Sequence, residues 1–320
     1  MVNAPWVKLA LQLNGAGGAV PISLTDPLPG QGGALWIHLD YTFDEAYQWL
    51  ERLPDVPNTV VEALFATDTR PRAADVGGGL LIYLRGVNLA PGARPEDMIA
   101  VRLWIRNGLI ISTQKRQLLT LSEIVTELEQ GEGARTPSDL VKRLVDGLIW
   151  RMEDVIERIE DQVGDCADLL ETRPDKALTH EISSLRRRAV TLRRYLAPQR
   201  EAIARLQNDA RIDRDDAEII REAGERLQRL LEDLDAARDH ATLLQEEVFS
   251  VQNEAINDRM YLLAIISALF LPLGFLTGLF GINVGGLPGV DNPEAFWWFA
   301  GSLVVIAAGI LVWMARRRWF

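Results

Sequence analysis

Met260-Tyr-Leu-Leu-Ala-Ile-Ile-Ser-Ala-Leu-Phe-Leu-Pro-Leu-Gly-Phe-Leu-Thr-Gly-Leu-Phe280 is an uncharged apolar run of about 20 residues, the length of a helix that spans a bilayer, and Ala295 to Ala315 is a second. Everything up to Arg259 is charged and soluble in character. This segregation explains how a 320-residue chain that is 25% charged still has a mean hydropathy of +0.01. The two runs exclude a purely soluble enzyme. The connecting segment, Gly281 to Glu294, holds Asp291 and Glu294 but no Lys or Arg. Arg259 borders the first run, and Arg316, Arg317 and Arg318 follow the second. By the positive-inside rule both chain ends face the cytoplasm and the short connection faces outward. Trp297, Trp298, Trp313 and Trp319 lie near the ends of the second run, where aromatic rings suit the headgroup region. One hairpin cannot enclose a polar path, so transport would require several copies around an axis.

Upstream of Met260 the chain reads as helix without interruption. From near Asp215, through Leu227, Leu230, Leu231, Leu234 and Leu244, there is no proline until Pro272, so one helix is expected to run from cytosol into bilayer. Glu246, Ser250, Asn253, Asn257, Met260, Leu263, Ser267, Leu271, Gly274 and Gly278 follow in steps of three or four and share one face, polar first and then small. Phe270, Leu273, Phe275 and Phe280 lie mostly off it. Two arrangements suit such a stripe: it borders a narrow axial path, or its small residues let two helices pack closely.

Before that helix, Ser138 to Thr172 and Asp175 to Leu206 read as a helical hairpin broken at Arg173-Pro174. The first 135 residues show short apolar runs between turn signals. Trp6 to Leu13, Leu35 to Leu39, Gly79 to Leu84, Ile99 to Ile105 and Gly108 to Ser112 read as strands, and Phe43 to Arg52 and Pro57 to Ala66 as helices. The expected fold class is an α+β membrane protein with an N-terminal cytosolic α/β domain (1–135), a cytosolic helical hairpin and stalk helix (136–258) and a two-helix transmembrane domain (259–320, spans 260–280 and 295–315). Trp6 to Leu13 is not a secretory signal, because Lys8 interrupts it and no basic segment precedes it.

The first span ends in Phe270-Leu-Pro-Leu-Gly-Phe-Leu-Thr-Gly-Leu-Phe280-Gly281-Ile282-Asn283, followed by Val284-Gly-Gly-Leu-Pro-Gly289. A lone Gly-x-Asn is a common helix stop. In this context it closely resembles the signature of the CorA family of divalent cation transporters, in which Gly-x-Asn closes the pore helix at its outer mouth. The acidic cytosolic portion, the hairpin segment Leu192-Arg-Arg-Tyr-Leu-Ala-Pro-Gln-Arg200, the two terminal spans and the basic aromatic C-terminus are similar to that family as well. Ile282 in place of methionine, the glycine-rich loop after Asn283 and Trp36-Ile-His-Leu-Asp-Tyr41 look like the zinc-associated ZntB branch.

The resemblance implies a homopentamer in the bacterial cytoplasmic membrane that transports zinc, with proton coupling as an open option and no permanently bound cofactor. Its partners would be further copies of itself, the lipid bilayer and divalent cations. The Glu246-to-Gly278 stripe would line the path, Gly281, Ile282 and Asn283 would form the selectivity motif at the outer mouth, and Arg316, Arg317 and Arg318 an inner basic collar. Five Asn283 amide carbonyls could hydrogen-bond the waters of a hydrated dication without stripping its shell. A magnesium, cobalt or nickel channel of the same architecture, and a membrane-anchored scaffold or sensor without flux, are the alternatives.

The remaining chemistry is sparse. His38, His180 and His240 are far apart and the single Cys166 has no partner, so no fixed zinc site is expected. His38 reads as a packed core histidine and Cys166 as a buried, inert thiol. Arg186 to Arg188, Arg193, Arg194 and Arg200 lie among Glu171, Asp175, Glu181 and Glu201 and read as a solvated or interhelical salt-bridged face. With a net charge of -11, a nucleic acid partner is not expected. Gly77 to Gly79 lacks the Lys-Ser or Lys-Thr of a phosphate loop and reads as a turn. No nucleophile with a nearby base is legible, so no catalytic residue is assigned.

Overall fold

The computed structural model describes residues 4–24, 33–67, 69–172, 175–281, 289 and 292–316. The chain divides into two compact units, Met1–Gln245 and Glu246–Phe320.

The first unit is built on a seven-stranded sheet of β1 (Val7–Leu13), β2 (Ala19–Pro21), β3 (Leu35–Asp40), β4 (Arg72–Val76), β5 (Gly79–Gly86), β6 (Ile99–Arg106) and β7 (Leu109–Gln114), in spatial order β2-β1-β3-β7-β6-β5-β4. All neighbours are antiparallel except β3 and β7. The helices α1 (Asp44–Glu51) and α2 (Asn58–Phe65) fall in the crossover that leads away from β3, which is where a parallel pair needs them. Both faces of the central strands are covered, so β3 and β5 are buried almost throughout instead of alternating. One apolar core joins Ile37, Leu39, Tyr83 and Trp104 to Leu50, Val60, Val61 and Leu64 of α1 and α2. The other joins Trp36, Leu80, Ile82, Leu84 and Leu103 to the helices that follow the sheet. The result is an α/β/α sandwich.

Two hairpins show why the turn signals could be trusted. Arg106 pairs with Leu109 across Asn107 (φ 49°) and Gly108 (φ 81°), and Val76 pairs with Gly79 across Gly77 (φ 60°) and Gly78 (φ 74°). Two central residues at positive φ match the twist of the flanking strands, and Asn-Gly and Gly-Gly adopt that geometry most readily. The Gly77-Gly78-Gly79 run is therefore a hairpin loop. A side chain on Gly77 would also meet Pro57 Cγ at 2.7 Å and Val60 Cγ2 at 2.8 Å.

Three elements were not anticipated: β2, β4 and α3 (Leu119–Gln130). β2 has only three residues, and β4 is an edge strand whose sequence, Arg-Ala-Ala-Asp-Val, carries no apolar run. α3 begins after Leu118 with no side-chain cap and no acidic residue in its first turn. The longer helices follow their expected spans: α4 (Pro137–Thr172), α5 (Lys176–Leu206) and α6 (Arg214–Gly281). The break assigned to Arg173 and Pro174 lies outside the described residues. Asp175 accepts a hydrogen bond from Leu178 N at 2.9 Å and caps α5. Gln199 of α5, fully buried, accepts from the backbone N–H of Arg85 at 2.7 Å and so ties this helix to β5.

The second unit consists of the α6 residues from Glu246 onward and α7 (Ala295–Arg316). α6 and α7 each contain a segment long and apolar enough to cross a membrane. At 1.5 Å per residue the 22 residues of α7 extend about 33 Å, which matches a hydrocarbon core of about 30 Å. The Phe280 and Phe299 rings lie 4.9 Å apart and make the two helices neighbours near Gly281. Trp297 and Trp298 at one end of α7 and Trp313 at the other are exposed, as side chains of a headgroup belt would be; Trp319 lies outside the described residues.

Candidate ion-conduction site

All ten stripe residues from Glu246 to Gly278 sit on α6 and all ten are exposed. From Met260 onward, the α6 residues partly withdrawn from solvent form a different line: Ile265, Leu269, Pro272, Leu273 and Leu276. On α7 the corresponding line is Phe299, Leu303, Ile306, Ile310 and Met314. At 100° per residue, the mean direction of the stripe from Met260 to Gly278 lies about 180° from the withdrawn line on α6. The stripe thus occupies the side of α6 opposite the one that is covered within the unit. Gly274, Gly278 and Gly281 each have no neighbouring heavy atom within 4 Å of where a Cβ would stand. Within one chain these small residues do not serve close packing of α6 against α7.

The chemistry along this face changes with position. Glu246 supplies a carboxylate, Ser250 a hydroxyl, and Asn253 and Asn257 amide oxygens, all oxygen donors suited to a hydrated dication. Met260 and Leu263 follow, 63% and 65% exposed, and form an apolar band. The Ser267 hydroxyl donates to Leu263 O at 2.8 Å, so its remaining lone pairs point away from its own helix backbone as acceptors. Leu271, 75% exposed, is the last bulky residue before Gly274 and Gly278. Pro272 has no N–H to give the preceding turn, and the Thr277 hydroxyl donates to Leu273 O at 3.0 Å.

Gly281 is the last residue of α6 and is exposed. Ile282 and Asn283 lie outside the described residues, as do Arg317 and Arg318; Arg316 closes α7. Of the residues expected to form a selectivity motif and a basic collar, only Gly281 and Arg316 are among the described residues.

In the first unit, His38 is buried, with Nδ1 2.7 Å from Ser112 Oγ, which also accepts from Trp36 Nε1 at 2.8 Å. With Ser112 accepting from Trp36, its proton is free to point at His38 Nδ1. Burial drives the imidazole pKa down to about 4, so the ring is neutral at physiological pH and acts as a core side chain. Cys166 is buried as well, and desolvation, aided by Glu181 and Asp165, pushes its thiol up to about 11. A thiol so disfavoured as thiolate is a poor ligand. His180 and His240 are exposed on separate helices, and no cluster of three or more His, Cys, Asp or Glu side chains with metal-binding geometry occurs among the described residues. The arginine run of α5 pairs at a distance: Arg193 with Asp235 at 2.6 Å and Arg188 with Glu96 at 3.6 Å, while Arg186 donates to Gln245.

Residues 31–317 match the family model described as CorA-like Mg2+ transporter protein. The zinc transport protein ZntB of Pectobacterium carotovorum subsp. carotovorum is 37% identical over 314 residues, covering 97% of this chain and 95% of that protein. ZntB of Yersinia enterocolitica is 35% identical, covering 96% and 94%. Among solved structures, the full-length CmaX protein superposes with a TM-score of 0.82 at 36% identity, covering 99% of this chain and 98% of that one. The CorA magnesium transporter of Methanocaldococcus jannaschii shares the fold at a TM-score of 0.80 and 18% identity, covering 98% and 99%. With an exposed polar-to-small stripe on a long helix, two helices of membrane length and a match over nearly its whole extent, the chain belongs to the CorA-like transporter family.

Proposed function

We propose that this protein carries divalent metal cations, zinc foremost, across the bacterial cytoplasmic membrane through a homopentameric pore lined by α6. The observation that carries this reading is the placement of the stripe. Glu246 to Gly278 is exposed, and from Met260 to Gly278 it lies on the side of α6 opposite the covered line, so several copies around an axis would turn oxygen donors and small residues inward and leave α7 outside. The full-length relatives named as zinc transport proteins support zinc as the cargo. The chemistry supports transit instead of storage, because weak oxygen sites bind a dication and release it again, whereas a thiolate cage would hold it. Both chain ends lie in the cytoplasm on this reading, with Gly281 to Asn283 at the outer mouth, Arg316 to Arg318 at the inner end, and the functional division 1–135, 136–258 and 259–320.

The test is flux into liposomes that hold the purified protein and an interior metal indicator, with zinc or magnesium outside, a pH gradient imposed or absent, and Asn283→Ala in parallel. The proposal expects zinc flux that is strongly reduced in Asn283→Ala. Magnesium flux without zinc would establish the second reading, which the description of the matched family favours. Absence of both fluxes would refute transport. A zinc flux that responds to the imposed pH gradient would add proton coupling.

A further inference from the structure

A cavity of about 1140 Å³ opens between the β5–β6 connection, residues 87–98, and α5. Four arginines line it, Arg85, Arg94, Arg187 and Arg188, against two carboxylates, Glu96 and Asp97. Both carboxylates are already engaged. Asp97 accepts from Arg116 Nη1 at 2.7 Å, and Glu96 faces Arg188 at 3.6 Å. Arg85 is clamped: its Nη2 donates to Thr69 O at 2.9 Å, its Nη1 to Met98 O at 3.3 Å, and its guanidinium stacks 4.1 Å from the centre of the Tyr195 ring. Arg188 is held by Gln162 at 2.8 Å. Arg94 and Arg187 form no ion pair among the described residues.

The connection that carries Arg94 is folded by its own hydrogen bonds. Asn88 N donates to Pro95 O at 3.3 Å, Ala93 N to Ala90 O at 3.0 Å, and Asp97 N to Arg94 O at 3.0 Å. Glu96 offsets Arg188 and Asp97 is taken up by Arg116, so in a chain whose net charge is -11 the cavity is lined by two arginines, Arg94 and Arg187, that no carboxylate among the described residues pairs with. We propose that this cavity binds a small anion with adjacent phosphates, of the diphosphate class. Guanidinium groups present paired donors that match phosphate oxygens, and two or more of them converging on one space favour a multiply charged anion over a single carboxylate. The cavity is larger than an inorganic diphosphate needs, so it also has room for a nucleoside diphosphate. Arg85 and Arg194 already engage the Tyr195 ring, at 4.1 and 5.5 Å, so recognition falls to the phosphates rather than to stacking on that ring.

The experiment is calorimetric titration of the full-length, chelator-treated protein in detergent, so that no bound cation can bridge to the probe, with pyrophosphate and with ADP. The proposal expects saturable binding with one site per chain, weakening as salt rises. Affinity should fall at least tenfold in Arg94→Ala/Arg187→Ala and stay unchanged in Arg221→Ala, a paired surface arginine elsewhere. Arg94 and Arg187 are exposed, so the double variant should fold normally. Equal affinity for the two probes assigns the site to the phosphates alone, and tighter ADP assigns it to a nucleotide. No saturable binding of either probe, or full affinity in the double variant, overturns the proposal.

Discussion

Gly274→Leu separates a pore-lining face from a face that merely packs. In the chain, the space beside Gly274 is open to 4 Å, and the residue lies within a continuous helix. Replacing glycine by leucine there should therefore favour the helix by about 0.8 kcal/mol. In a five-fold assembly with the stripe inward, the same change places about 20 additional carbon atoms around the axis. Each takes roughly the volume of one water, about 30 Å³. A hexahydrated dication cannot keep its shell while passing such a ring. Zinc flux should fall at least about 100-fold, equivalent to about 2.7 kcal/mol of added barrier. The control is Gly309→Leu, on α7, where the space is equally open but the proposed arrangement faces outward. The assay is liposome flux normalised to the amount of assembled oligomer on size exclusion. Wild-type flux in Gly274→Leu with the oligomer intact, or equal loss in Gly309→Leu, would refute the assignment of the stripe to the axis.

Three further outcomes follow from particular residues. Glu246→Ala should change the concentration dependence of zinc flux, because it removes the carboxylate at the start of the stripe; an unchanged profile would remove Glu246 from the path. His38 has a folded-state pKa of about 4 against about 6.5 when unfolded, so the unfolded chain binds the extra proton. Its contribution to stability is constant above about pH 6.5 and is lost as the pH falls toward 4, by up to about 3 kcal/mol; thermal melting across this window should show a slope that His38→Gln flattens. Gln199→Leu leaves the Arg85 N–H without its acceptor at 2.7 Å, which should cost about 1–3 kcal/mol and appear as a melting point several degrees lower.

Much of the fold was legible because its signals are local. Asn107-Gly108 and Gly77-Gly78 specify their turns by positive φ, and the runs around Leu35 and Leu80 are long and apolar enough to be strands buried on both faces. β4 was invisible for the complementary reason. It is an edge strand of Arg, Ala and Asp that exists because β5 offers it hydrogen bonds, and nothing within its five residues announces that partner. α3 lacks the polar cap and acidic first turn that mark a helix start, and it is held by the burial of Leu121, Ile124 and Leu128 in the core.

Periodicity disclosed which residues of α6 share a face, but it could not say what that face meets. Ser267, Gly274 and Gly278 fit close packing and an axial path equally well by spacing, and the covered line of Ile265, Leu269, Pro272, Leu273 and Leu276 argues only against packing on α7 of the same chain. Only the second line makes the first interpretable, because a helix with two neighbours must divide its circumference between them. The arginines of α5 show the same limit in their charge pairing. The acids around them point to a solvated or interhelical salt-bridged face, and Arg193 does pair across helices with Asp235 on α6, but the particular partner is not local: Arg188 meets Glu96 of the β5–β6 connection. Arg94 and Arg187, separated in sequence by β6, β7, α3 and α4, line one cavity. Charge balance in this chain is settled by tertiary neighbours, so local counting of acids and bases overstates neutralisation wherever a fold brings like charges together.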